Sequence, residues 1–467
     1  MSFTSITFAA FCAITLLLYW LMRQKQLQNI VLLAAGLVFY GWVHPWYLVL
    51  LGLSTTLDYF LALGMLRVRE RKQFFLYASL VSNLGVLAFF KYFNFFNTFL
   101  ADRLGQLGIN GDFFLLTIVL PAGLSFYSLK KLSYMLDISR GTFKPVTNYI
   151  DFSLYVSFFP QIVSGPIDRP QQLLPQIETM RRWKTSYFSS AWPLILMGFF
   201  KKVVIADTIK SMVDRVISLQ QPSKLLVLAA AVGFTLQILA DFSAYTDISR
   251  GVAWLFGFET SQNFRTPYLS LTPSEFWNRW HISLSNFLRD YIFFPLRRSL
   301  LRKRTLPGWL VTALPPLVTM FVSGLWHGAG WTFLIWGIYY GLLIVVYQAA
   351  GIQGDWKPTG WVRRALAHLL MLSLIVFGWL IFRAPSVAWL GKVFFQFPWI
   401  GTPYDYVIFL VIVSMVIAYS LPLLVKLLID RYFPEHSWIH AAFFAMLTVA
   451  VLLYTNSSNP DFIYFQF

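Results

Sequence analysis

Apolar stretches of about 18 residues or more, the length that carries a helix through the hydrocarbon core of a bilayer, recur along this chain from residues 3–22 to a last segment ending near Tyr454. The period-two alternation of barrel strands is not seen. No hydrophilic stretch is long enough to form a separate soluble domain. The pattern therefore predicts one membrane-embedded domain over residues 1–467. It should be all-α and polytopic, with roughly eleven or twelve transmembrane or re-entrant helices.

Three segments depart from plain spans. The run 158–170 contains Pro160, Pro166 and Pro170, and each proline interrupts helical hydrogen bonding. Irregular backbone at membrane depth is tolerated only where it is buried in protein or lines a wet cavity, so a re-entrant or interfacial turn is predicted. Residues 274–298 interleave Trp, Phe, Leu and Ile with Asn278, Arg279, Arg289, Asp290, Arg297 and Arg298. That mixture predicts an amphipathic helix lying in the interface, with His281 at its start. Residues 311–321 and 331–347 predict two apolar helices that meet at Ser323-Gly324-Leu325-Trp326-His327-Gly328-Ala329-Gly330-Trp331. The glycines of that joint allow close backbone approach.

Composition agrees with a membrane protein: 57% of residues are hydrophobic, 12% are charged and the mean hydropathy is +0.61, against about a quarter charged in soluble proteins. The net charge of +17 does not mark a nucleic-acid binder. Its lysines and arginines cluster in short stretches at 23–25, 67–72, 130–144, 181–184, 297–304, 357–364 and 426–431. These alternate with loops poor in Lys and Arg, such as 105–112, which is the positive-inside pattern. It assigns the basic loops to the cytoplasm and the N-terminus to the outside. The first apolar segment has no basic leader and no small-residue cleavage site, so a retained helix is expected. Cys12 is the sole cysteine, which excludes an intrachain disulfide, a cysteine zinc site and an iron–sulfur cluster.

Candidate chemistry centres on six histidines, since an imidazole titrates near neutral pH. His44, His368, His436 and His440 sit in aromatic or basic contexts typical of membrane interfaces. His281 and His327 lie within the unusual segments, where an ionisable group near membrane depth is read as functional by default. With no cysteine and no carboxylate cluster nearby, two histidines predict no metal. Asp241 and Asp247 are six apart and do not share a helix face. They read as capping and polar packing at the end of an apolar helix. Asp58, Asp137 and Lys91 are isolated polar residues, and neither a glycine-rich phosphate loop nor a G-x-S-x-G elbow occurs.

Taken together, Phe276-Trp277-Asn278-Arg279-Trp280-His281-Ile282-Ser283-Leu284-Ser285, Leu288-Arg289-Asp290-Tyr291 and Gly324-Leu325-Trp326-His327-Gly328 resemble the membrane-bound O-acyltransferases. Phe158-Phe159-Pro160-Gln161, Ser164-Gly165-Pro166-Ile167, Asp241-Phe242-Ser243 and the closing Phe462-Ile463-Tyr464-Phe465 add to the likeness. The bacterial branch that modifies envelope polymers is the one resembled, by its alginate O-acetyltransferase-like members and its D-alanyl transfer proteins of teichoic acid. Pro295-Leu296-Arg297-Arg298 departs from the alginate type, and Ser164-Gly165-Pro166-Ile167-Asp168-Arg169 leans toward the D-alanyl type.

The resemblance implies a ring of tilted helices around a central funnel, with His327 as the catalytic histidine near its floor and His281 as the second family histidine. It implies an acyl group, acetyl in first place, passing from a cytoplasmic thioester to hydroxyls of an extracytoplasmic polysaccharide or to an intermediate partner. Arg279, Trp326, Asn278 and Asp241 are the candidate donor- or substrate-binding residues. No bound cofactor is expected, acetyl-CoA or an acyl-carrier thioester being the donor substrate. Expected partners are membrane lipids, a periplasmic esterase-like protein, an envelope polysaccharide and an acyl carrier protein, in a bacterial inner membrane. Rival readings are a transporter of envelope precursors, against which the lack of internal similarity between the two halves counts, and a scaffold that only recruits other enzymes.

Overall fold

The computed structural model describes residues 1–42, 44–107, 118–303, 305–352, 354, 356–455 and 462. Residues 463–465 of the closing motif, Arg304 and positions 108–112 of the loop poor in basic residues lie outside the described set. Among the described residues all regular structure is helical. Eight helices are long and apolar enough to cross a membrane: Tyr47–Arg67, Arg69–Gln106, Thr185–Ile217, Lys224–Leu255, Gly308–His327, Trp331–Ala349, Trp361–Arg383 and Tyr404–Tyr432. Two shorter apolar helices, Ile6–Leu21 and Trp438–Tyr454, accompany them. The protein is a multi-pass, all-α membrane protein. The remaining apolar runs are broken into shorter pieces, as the prolines and glycines within them dictate.

The chain forms two compact units, Met1–Ala191 with Ser249–Ser261, and Trp192–Ile248 with Gln262–Phe467. The first holds α1 (Ile6–Leu21), α2 (Lys25–Gly41), α3 (Tyr47–Arg67), α4 (Lys72–Gln106), α5 (Leu124–Arg140), α6 (Tyr149–Ser157) and α7 (Pro170–Glu178). The basic stretch 130–144, expected as a cytoplasmic loop, begins inside α5, where Lys130 and Lys131 are fully buried. They survive there because each has an oxygen partner. Lys131 pairs with Asp58 of α3 at 3.3 Å, and Asp58 also accepts from Ser79 and Asn83 of α4. Lys130 donates to Gln161 at 3.0 Å. A buried charge persists only with partners of this kind, so Asp58, isolated in the sequence, is the hub joining three helices.

The proline-rich run folds as a turn buried in the first unit, with residues 158–168 all inside. Gln161 bridges Lys130 and the buried Asp168, whose Oδ1 accepts from the backbone N–H of Ser261 at 3.0 Å. Irregular backbone is thus enclosed by protein, as membrane depth requires.

The second unit contains α9 (Asp207–Ile217), α11 (Pro273–Arg279), α12 (Ile282–Leu288), α13 (Phe294–Arg302), α14 (Gly308–His327), α15 (Trp331–Ala349), α16 (Trp361–Arg383), α17 (Val387–Phe395), α18 (Tyr404–Tyr432) and α19 (Trp438–Tyr454). It also holds most of α8 (Thr185–Phe199) and α10 (Lys224–Leu255). Asp241 and Asp247 are not at a helix end, because α10 continues to Leu255. Each has a lysine from the π-helical turn Phe200–Ala206: Lys202 bridges Asp241 and Asp207, both at 2.8 Å, and Lys201 pairs with Asp247 at 2.7 Å.

Candidate active site

The expected in-plane helix is three pieces. Thr272 caps α11 by accepting from the Glu275 N–H, and the chain then breaks at His281 before α12 begins. A π turn, Arg289–Phe293, leads on to α13. His281 has φ 44° and ψ 53°, the left-handed region that costs a non-glycine residue about 1–3 kcal/mol. The segment at Asn263 holds the corner in place. Asn263 accepts from the N–H of Ile282 through its carbonyl at 3.0 Å and from the N–H of Ser283 through its side chain at 3.1 Å. Ser285 closes the other side, its N–H on the His281 carbonyl and its hydroxyl on that of Trp280. The imidazole is buried beside Phe242, with ring centroids 4.7 Å apart. Burial pushes its pKa down from 6.5 to about 3, so His281 is neutral at physiological pH. As a base that weak is poorly matched to deprotonating a hydroxyl, its chemistry is that of a neutral imidazole.

His327 closes α14, and α15 starts four residues later. The two helices pack closely because a Cβ on Gly324 would overlap the Phe333 carbonyl oxygen and one on Gly337 would overlap that of Met320. Small residues at such crossings let backbones approach. The close crossing holds His327 in an aromatic cage: its ring centroid lies 5.0 Å from Trp326, 5.0 Å from Trp336 of α15 and 5.3 Å from Phe382 of α16. Trp326 lies 6.1 Å from His281. The two histidines, 46 positions apart in the chain, thus both lie close to one indole.

The aromatic face of α11 completes this cluster, Trp277 packing on Trp336 at 5.5 Å and Trp280 on Trp379 at 4.7 Å. The sequence reading did not single out Trp336, Phe382, Trp379 or Asn263. Trp336 and Tyr340, four apart on α15, and Trp379 and Phe382 on α16 were visible as aromatics at helical spacing, but that spacing is equally the mark of an ordinary core.

The remaining candidates are placed as follows. Asn278 lines a cavity of about 150 Å³ together with Trp277, Arg289, Ser323 and Met320, and its Oδ1 accepts from Arg289 at 3.1 Å. Arg279 turns to the other side of α11, paired with Glu275 at 2.6 Å. Asp241 sits in the ion cluster with Lys202. Of the other histidines, His440 lies between Ser437 at 3.0 Å and Asp430 at 3.2 Å. Among the described residues no three histidine, cysteine or carboxylate side chains gather as a metal site.

The structure thus brings the two histidines singled out in the sequence close to one indole, among aromatic side chains of a multi-pass helical protein. A sequence model described as MBOAT, membrane-bound O-acyltransferase family, matches residues 146–377, which include both histidines. The probable alginate O-acetylase AlgI of Pseudomonas aeruginosa is 36% identical over 81% of this chain and 71% of its own length. The peptidoglycan O-acetyltransferase of Helicobacter pylori is 30% identical over 76% and 71%, and the teichoic acid D-alanyltransferase of Bacillus subtilis 26% identical over 56% and 68%. The chain belongs to the membrane-bound O-acyltransferase family. It is an O-acyltransferase, which sets it among enzymes and not among transporters.

Proposed function

We propose that this protein transfers an acetyl group from a cytoplasmic thioester to a hydroxyl of an extracytoplasmic envelope polysaccharide, directly or through a partner protein, in a bacterial inner membrane. The observation that carries the reading is that His327, at the α14–α15 joint, and His281, at the α11–α12 break, have ring centroids 5.0 Å and 6.1 Å from that of Trp326. His327 takes the proton of the acceptor hydroxyl as its oxygen attacks the thioester carbonyl. The tetrahedral oxyanion then collapses, the carbon–sulfur bond breaks, and the imidazolium returns the proton to the leaving thiolate. Hydrogen-bond donors must face that oxyanion, and the indole of Trp326, close to both imidazoles, is one candidate.

Acetyl is favoured over D-alanyl because the O-acetylating relatives match more of the chain at higher identity. The donor is acetyl-CoA or an acyl-carrier thioester, and an esterase-like protein on the outer side would finish transfer to the polymer. The test offers the purified protein, in lipid nanodiscs, radiolabelled acetyl-CoA or a D-alanyl carrier thioester with a polysaccharide acceptor. Label leaving acetyl-CoA in proportion to thiol released supports the reading. Turnover of the D-alanyl thioester alone overturns it in favour of teichoic acid chemistry.

A further inference from the structure

Behind α11, on the side away from Trp277 and Asn278, the second unit encloses a cavity of about 570 Å³. Its cationic lining comes from three separate parts of the chain: Arg279 on α11, Lys357 in the turn after α15, and Arg364 with His368 on the first turns of α16. Trp356 forms part of the wall. Among the described residues Glu275 is the acidic one of that lining, and both its oxygens are engaged, Oε1 by Arg279 and Oε2 by the N–H of Leu271 at 2.7 Å. Among the described residues of the lining, one carboxylate faces three permanently charged groups, which leaves their sum positive. Lys357 and Arg364 are exposed at its mouth, while Arg279 is held in a fixed orientation by Glu275 and Thr266.

A solvated basic loop spreads its charges outward, whereas here they converge with an indole on one space, the arrangement that recognises phosphate oxygens. We infer that this cavity is a binding site for an organic phosphate, with Arg279, Lys357 and Arg364 as its anion ligands. The same α11 that brings Arg279 to this cavity leads two residues later to His281. The phosphate would therefore be anchored on the element that leads directly into His281. Two sources carry that chemistry: the phosphorylated nucleotide end of an acyl-CoA donor, and the headgroup of an anionic lipid. Assignment to the donor rests on the acyl-transfer reading above, but recognition of phosphate does not.

The experiment uses the full chain in phosphatidylcholine nanodiscs and measures binding of adenosine 3′,5′-bisphosphate, with unphosphorylated adenosine as the control. Phosphatidylglycerol is added to the discs in a second arm. The variant is Lys357→Gln/Arg364→Gln, whose side chains are exposed and outside the core; a wild-type thermal transition verifies its fold. Saturable binding of the bisphosphate but not of adenosine is expected, weakened by about tenfold for each charge removed and by added salt.

Charge-dependent retention of phosphatidylglycerol that displaces the bisphosphate also upholds the phosphate site and assigns it to lipid. Absence of both ligands, or binding undiminished in the double variant, overturns it. Thioester turnover is assayed in the same discs. In the wild type, turnover without phosphate binding refutes this site alone, and phosphate binding without turnover refutes the acyl-transfer reading alone.

Discussion

Replacing Gly324 with alanine tests whether the α14–α15 crossing sets the position of His327. An alanine Cβ there would overlap the Phe333 carbonyl oxygen and lie 3.3 Å from the Gly337 Cα. Both obstacles are backbone, so no side chain can swing aside. Restoring ordinary contact requires the helices to part by roughly 1 Å. Overpacking of this kind costs about 1–3 kcal/mol, which a marginally stable protein tolerates. The chemistry is more sensitive, since His327 is three residues along the same helix and a displacement of about 1 Å at a reacting group can lower turnover by roughly 100-fold.

The control is Gly330→Ala in the same joint, where φ is −118° and the nearest side-chain atom, on Phe333, is 3.4 Å from the new Cβ. The assay is thioester turnover in nanodiscs beside thermal unfolding in detergent. Gly324→Ala should remain folded with a modestly lower Tm and little activity, and Gly330→Ala should match the wild type. Equal turnover in the two variants would refute the claim that the close crossing positions His327.

Further outcomes follow from the same structure. Burial holds His281 neutral, its pKa falling from 6.5 to about 3. The unfolded chain binds that proton below about pH 6.5 while the folded chain does not, so this residue's contribution to stability falls by about 1.4 kcal/mol per pH unit on acidification through that window. Denaturation of His281→Asn between pH 6.5 and 5 should show a correspondingly flatter dependence than the wild type, and identical slopes would contradict the buried neutral imidazole. Lys131→Met strands Asp58 in the core and should destabilise by about 3–5 kcal/mol. Adding Asp58→Leu should recover most of that loss, and an additive double variant would count against a coupled pair. Asp241→Asn leaves Lys202 its partner Asp207, so it should lower Tm less than Lys202→Met, which leaves two carboxylates without their lysine; the reverse order would show that Asp207 does not share the charge.

Much of this was readable in the sequence because the membrane imposes it. Apolar runs announced the long helices, prolines announced the buried turn at 158–168, and the glycines around His327 announced the break between α14 and α15. Local pattern failed where a distant partner decides the outcome. Lys130 and Lys131 look like a cytoplasmic loop until Gln161 and Asp58 are brought beside them. Asp241 looks like a helix end until Lys202 arrives from the π turn. The in-plane element could not be divided from its amphipathicity, because the break at His281 depends on hydrogen bonds donated to Asn263 by Ile282 and Ser283. Nor could periodicity reveal that one indole lies near both histidines, or that aromatics from α14, α15 and α16 surround His327.

The most direct test of the central claim is thiol release from an acyl thioester by wild-type and His327→Ala proteins, each verified as folded by its thermal transition and offered the same polysaccharide acceptor. Loss of acceptor-dependent release in the variant, with donor binding retained, is the predicted result. Full turnover by folded His327→Ala would contradict the assignment of the base and remove His327 from the mechanism.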